Sequence, residues 1–168
     1  MSSAGYELPL LLFAGFRSII DELHVELARR GHQDMRPAHG FAMQAIGFSG
    51  ATATEVGGRL GISKQAAGKT VERLEALGYV ERAGDGLDRR RKLVRLTPRG
   101  IEALTLSAAI FTDIRARWAA ALGQERVDDL EASLRTMTPG ETFRLDVQLV
   151  DDRPEPGEEQ QRQLVSSA

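Results

Sequence analysis

Cysteine is absent from the 168 residues. That removes disulfides, thiol nucleophiles, cysteine-based oxidant sensing and cysteine-type zinc sites together. Aromatic residues make up 5% of the chain, so a core has to be packed from Leu, Ala, Val and Ile. No apolar run approaches the roughly 18 residues that a membrane-spanning helix needs. The stretch "LPLLLFAGF" has neither a basic leader nor a small-residue cleavage pattern, so no secretory signal is expected and the expected location is the cytoplasm. Net charge is also small, −2, with 42% apolar and 27% charged residues. These values suit a soluble globular protein of one domain with a tail.

Catalytic signatures are missing as well. "GFSGA" lacks the G-x-S-x-G spacing of a nucleophile elbow and follows no strand. "GGRLGISK" lacks the spacing of a phosphate-cradling loop. His24, His32 and His39 have neither cysteine nor closely spaced carboxylates to complete a metal set. No enzyme activity, metal or cofactor is expected.

What is present is a segregation of charge. Between Arg59 and Gly100 stand eleven basic and five acidic residues, a local charge of +6 that leaves −8 for the rest. Three arginines, Arg89 to Arg91, crowd the middle of "GDGLDRRRKLVRLTPRG". A basic block inside an acidic chain marks a surface for something anionic, unless it is merely a solvated face.

The apolar periodicity predicts a helix over 7–30, with Leu8, Leu12, Phe16, Ile19, Leu23 and Leu27 on one side, stopped at Gly31. Pro37 opens a second helix reaching about Phe48. A short third helix is predicted from Thr54 to Leu60. After Gly61, Ser63 caps a fourth whose stripe is Ala67, Val71, Leu74 and Leu77, ended by Gly78. Gln65, Lys69 and Arg73 lie four apart and project from the opposite face. A short helix, a glycine turn and a helix with an exposed Gln/Lys/Arg row make a helix-turn-helix. Tyr79–Arg82 and Arg91–Leu96 then form a hairpin with a long tip, a wing. Thr97-Pro98 starts a long helix carrying Ile101, Leu104, Ala108, Phe111, Trp118 and Leu122. Beyond Gly123, Val127, Leu130, Leu134 and Met137 mark a last amphipathic helix. "ETFRLDVQLV" alternates like a strand at 141–150, and the acidic segment after it lacks core-forming residues and is expected to be disordered.

This order, with "LEALGYVER" followed by "DRRRKLVRLTPRG", resembles the MarR family of bacterial winged-helix transcriptional regulators. The resemblance covers residues 8 to 137 and is strongest from Ser63 to Gly100. It implies a mainly helical (α+β) winged helix-turn-helix with long dimerisation helices at both ends. The implied parts are an N-terminal dimerisation helix at 1–36, a DNA-binding domain at 37–100, dimerisation helices at 101–137 and an extension at 138–168. In the family, the arginine of an Asp-x-Arg pair at the wing tip enters the minor groove; here the pair is Asp88 and Arg90. Asp88 lies on the same side of an extended segment and can orient a guanidinium. Arg89, Arg91 and Lys92 are expected on phosphates. Gln65, Lys69 and Arg73 have the chemistry to reach base edges, with Ser63 and Lys64 beside them at the helix start.

The implied function is a homodimeric, sequence-specific DNA-binding regulator on a pseudo-palindromic operator, a repressor relieved by a small molecule. Relatives bind small aromatic compounds between dimer helices and DNA-binding lobe. Phe16, His39, Phe111 and Trp118 are the candidate lining residues, with core packing as the other reading of each. A winged-helix module that docks a protein partner through its basic wing is the alternative function.

Overall fold

The computed structural model describes residues 5–84 and 92–138. The wing tip with Asp88, Arg89, Arg90 and Arg91 lies outside them, as do the strand expected at 141–150 and the polar segment after it.

Helix α1 (Glu7–Arg29) stops where the sequence turns to glycine. Gly31 takes φ +91°, and the N–H groups of Gly31 and His32 return to the carbonyls of Ala28 and Leu27. This left-handed closure satisfies the helix's last acceptors. Helix α2 (Pro37–Ile46) has proline in its first turn and ends at Gly47. Helix α3 (Ala53–Leu60) begins one residue earlier than the periodicity predicts. The Thr52 hydroxyl accepts from the Glu55 N–H while the Glu55 carboxylate accepts from the Thr52 N–H. This reciprocal capping box was present in the sequence as Thr-x-x-Glu.

Helix α4 (Lys64–Ala76) is followed by β1 (Val80–Gly84) and β2 (Lys92–Leu96), an antiparallel pair in register from Val80↔Leu96 to Gly84↔Lys92. A third segment joins the sheet: Ala51 and Val94 exchange both backbone hydrogen bonds, at 3.0 and 2.9 Å. Gly50 makes this approach possible, because it takes φ +81° and a Cβ there would sit 2.8 Å from the Val94 carbonyl oxygen. Helix α5 (Pro98–Leu122) starts on a Thr97 cap, and α6 (Gln124–Met137) returns against it. Arg115 on α5 holds Asp128 and Glu131 of α6 at 2.6 and 2.7 Å.

The core joins α1 through Ile20, Leu23 and Leu27 to α2, α4, the sheet and α5. Two expected stripes are redistributed. On α1, Leu8, Leu12 and Phe16 are exposed, and burial begins at Ile20. On α5, the buried line is Gly100, Ala103, Leu104, Ser107, Ile110 and Ile114. Ile101, Phe111 and Trp118 flank it half-buried, and Leu122 is exposed. An alanine-rich helix such as α5 offers more than one apolar face, and the neighbour that packs on it selects among them. No helix of the described residues is long and apolar enough to cross a membrane.

Candidate nucleic-acid interface

The turn between α3 and α4 is made by Gly61, in the left-handed region at φ +66°, ψ 29°. Its partner in close packing is Gly57, where a Cβ would meet the Ile62 carbonyl oxygen at 3.0 Å and the Ala67 Cβ at 3.5 Å. Ser63 then caps α4, its hydroxyl accepting from the Ala66 N–H at 3.1 Å. Ala67, Val71 and Leu74 are buried, so one side of α4 is fixed in the core.

The opposite side is free. Lys64, Gln65, Lys69 and Arg73 are exposed, as is Ser63. Residues four apart rise about 6 Å along a helix, so Gln65, Lys69 and Arg73 form a row about 12 Å long. Arg there can present two donors and Gln a donor beside an acceptor, and the amino end of α4 adds the positive pole of its dipole. The wing is tied to the same helix: Arg82 of β1 donates to Glu75 of α4 at 3.0 Å. Lys92, at the base of β2, is exposed opposite Gly84. Asp88, Arg89, Arg90 and Arg91 belong to the residues not described.

The four candidate lining residues are spread over three helices. Phe16 of α1 is half-exposed and stacks on Phe41 of α2, with ring centroids 6.5 Å apart and 14° between planes. Trp118 of α5 lies against α1 at Gly15, where a Cβ would be 3.9 Å from its ring. Phe111 is half-buried against the core. His39 is 8% exposed, and its Nδ1 has no hydrogen-bond partner among the described residues. Burial, then the positive charge of Arg73, holds the His39 imidazole below its ordinary pKa; a hydrogen bond to the backbone of Asp34 opposes them, and Arg36 and His24 add to the lowering. Phe41, absent from the sequence-derived set, is the addition here. Its signal was faint: a phenylalanine one turn along α2 from a proline start. Among the described residues no group of three or more His, Asp or Glu could hold a metal ion.

A family model described as the MarR family matches residues 33–91. No curated protein sequence matches the chain. Among solved structures, FabT of Streptococcus pneumoniae, in complex with DNA, aligns with TM-score 0.70 at 18% identity, over 81% of this chain and 96% of that one. The reduced form of MarR from E. coli aligns with TM-score 0.64 at 24% identity, over 79% and 96%. The MarR family protein Rv2887 of Mycobacterium tuberculosis, in complex with p-aminosalicylic acid, aligns with TM-score 0.57 at 21% identity, over 77% and 97%. At these identities the likeness is one of fold. Residues 33–91 match the MarR family, and the chain has the winged-helix fold of the MarR-family structures it aligns with.

Proposed function

We propose that the chain is a homodimeric regulator that binds a pseudo-palindromic operator and represses transcription until a small aromatic effector releases it. The observation that carries this reading is the exposed Gln65–Lys69–Arg73 row, standing on a helix whose other face is locked in the core. Lys64 and Ser63 extend the row toward the amino end, and Lys92 together with Arg89, Asp88, Arg90 and Arg91 equips the wing for phosphates and the minor groove. FabT, of the same fold, was solved with DNA.

Dimerisation is supported by apolar side chains left exposed among the described residues. Leu8, Leu12 and Phe13 on the first half of α1 and Leu130, Leu134 and Met137 on α6 are exposed. Apolar patches of that kind on two helices are a surface for association. In this reading 1–36 and 101–137 join two copies, and 37–100 binds DNA. The acidic remainder of the chain restrains non-specific contact with DNA, and the site of action is the cytoplasm. The role proposed is binding rather than catalysis.

The effector reading draws on Phe16, Phe111 and Trp118, with His39 as the polar group. Rv2887 was solved with an aromatic carboxylate. Trp118 is the sole tryptophan, so its emission should change saturably on titration with such compounds. A flat response across a panel of aromatic acids and phenols would remove it from the site.

The deciding experiment is anisotropy of a labelled duplex from upstream of this protein's own gene, against a scrambled duplex, at two salt concentrations. Selective binding that weakens steeply with salt is expected, with a log–log slope near 0.9 per phosphate neutralised, in order of magnitude. Arg90→Ala should lower affinity without lowering the melting temperature. Equal, weak binding to both duplexes would favour the protein-partner reading.

A further inference from the structure

Three helix ends meet at one buried hydrogen-bonded cluster. His32, 2% exposed, follows α1, and its N–H closes that helix on the Leu27 carbonyl at 2.9 Å. Tyr79, fully buried, follows α4, and its N–H closes that helix on the Leu74 carbonyl at 2.9 Å. Arg99 lies in the first turn of α5. The side chains of these residues bond to each other. The Tyr79 hydroxyl is 3.1 Å from His32 Nδ1, and Arg99 Nη2 donates to the same hydroxyl at 3.3 Å. The Arg99 guanidinium also lies 4.8 Å from the Tyr79 ring centroid and donates to the Gly31 carbonyl at 3.3 Å. The Tyr79 backbone is held too, its carbonyl accepting from the Thr97 N–H at 3.0 Å.

Arg99 has only donors, so the Tyr79 oxygen accepts from it, and the arrangement that gives the buried hydroxyl proton an acceptor places it on His32 Nδ1. His32 is then neutral, with its proton on Nε2, 3.8 Å from the Glu102 carboxylate. A second proton would land on Nδ1. The Tyr79 hydroxyl would then face two donors, its own proton would lose its acceptor, and an imidazolium would stand beside the Arg99 guanidinium. Glu102, 63% exposed, is the opposing group, and its attraction is screened by water. The charged and titratable groups around His32 and Tyr79 are Arg99 and Glu102 of α5 and Asp34 of the loop before α2.

From this arrangement we infer that His32, Tyr79 and Arg99 form an acid-sensitive joint that holds the recognition helix α4 in register with α1 and α5, and that protonation of His32 loosens it and weakens operator binding. None of the three touches DNA in this scheme; they are positioning residues. The effect on DNA rests on the operator-binding reading above, whereas the coupling between His32 and α4 does not. Burial is the main force keeping His32 neutral, with Arg99 second and Glu102 opposing, so the release lies on the acid side of the ordinary imidazole value.

The test follows the His32 ring and the backbone amides of α4 and Tyr79 by NMR in the full chain from pH 7.5 to 5, with duplex affinity measured in parallel at constant ionic strength. The α4 and Tyr79 signals should move with the His32 midpoint, and affinity should fall below it by up to about tenfold per pH unit for each linked His32, thus up to about a hundredfold for a dimer that carries two. His32→Gln should abolish both responses. Tyr79→Phe keeps the ring in place and should leave α4 unresponsive while His32 still titrates, which covers the case of a poorly folded His32 variant. His32 titrating while α4 stays still, or His32→Gln keeping the acid loss, would overturn the joint. Failure of the wild type to bind any duplex at pH 7.5 would sink the operator reading instead, and the NMR comparison would still decide the joint.

Discussion

At the residue scale, contacts of a few ångströms decide which substitutions matter. Gly100 sits under β1, where a Cβ would lie 2.2 Å from the Tyr79 carbonyl oxygen. Backbone cannot swing aside as a flexible side chain does, so Gly100→Ala should destabilise by about 1–3 kcal/mol or more, read from urea unfolding. The buried histidines give a second prediction. His32 and His39 are both held below the ordinary 6.5, chiefly by burial. Between the folded and unfolded pKa values the unfolded chain binds the extra protons. Their contribution to stability is therefore full above about pH 6.5 and is lost as pH falls below it toward the folded values. Unfolding free energy should decline from pH 7.5 to 5.5, and each His→Gln variant should flatten part of that decline. A stability that rises on acidification would contradict the burial argument. For recognition, Gln65→Ala should cost about 1–3 kcal/mol of discrimination at one base pair. Equal losses on every sequence would make Gln65 a positioning contact.

At the element scale, α4 was legible because its two faces obey one period. Ala67, Val71 and Leu74 recur at three and four, and so does the polar row opposite. Ser63 shows how a cap and a contact can be separated. Ser63→Ala should cost about 1 kcal/mol through the lost bond to the Ala66 N–H. Ser63→Asp should restore the cap and yet weaken duplex binding, since it places a negative charge among phosphates. If both variants bind duplex like the wild type, Ser63 is a cap alone. Helix α5 was read less well, because its run of Ala, Leu and Ile supports several stripes. The buried choice of Ala103, Leu104, Ser107, Ile110 and Ile114 comes from α1 and α2 packing on that side. The wing was legible as two strands, but not the third segment at Ala51. A single residue carries no alternation, and only Gly50 hinted at a close approach.

At the scale of the whole molecule, the first and last helices among the described residues, α1 and α6, carry apolar side chains outward. Leu8, at 66% exposure, and Met137, at 78%, mark the extremes of a surface that one copy leaves in water. If a second copy covers it, the melting temperature should rise with protein concentration, as association requires. Leu12→Asp with Phe13→Asp should shift sedimentation from dimer to monomer and abolish cooperative operator binding. A wild type that sediments as a monomer at micromolar concentration would remove the dimer from the proposal.

The order of the described elements, the Ser63 and Thr97 caps and the side of α4 that faces outward were all legible in the sequence. Each of these follows from a local period or a local hydrogen bond within about four residues. The resemblance to the MarR family was carried by two short strings, 74–82 and 88–100, and the family model's match, 33–91, covers the first and reaches into the second as far as Arg91. Tertiary structure alone decided which stripe of α1 and α5 is buried, and it alone joined His32 to Tyr79 across 47 positions. Burial of a polar group is set by partners far along the chain, and no local pattern encodes them.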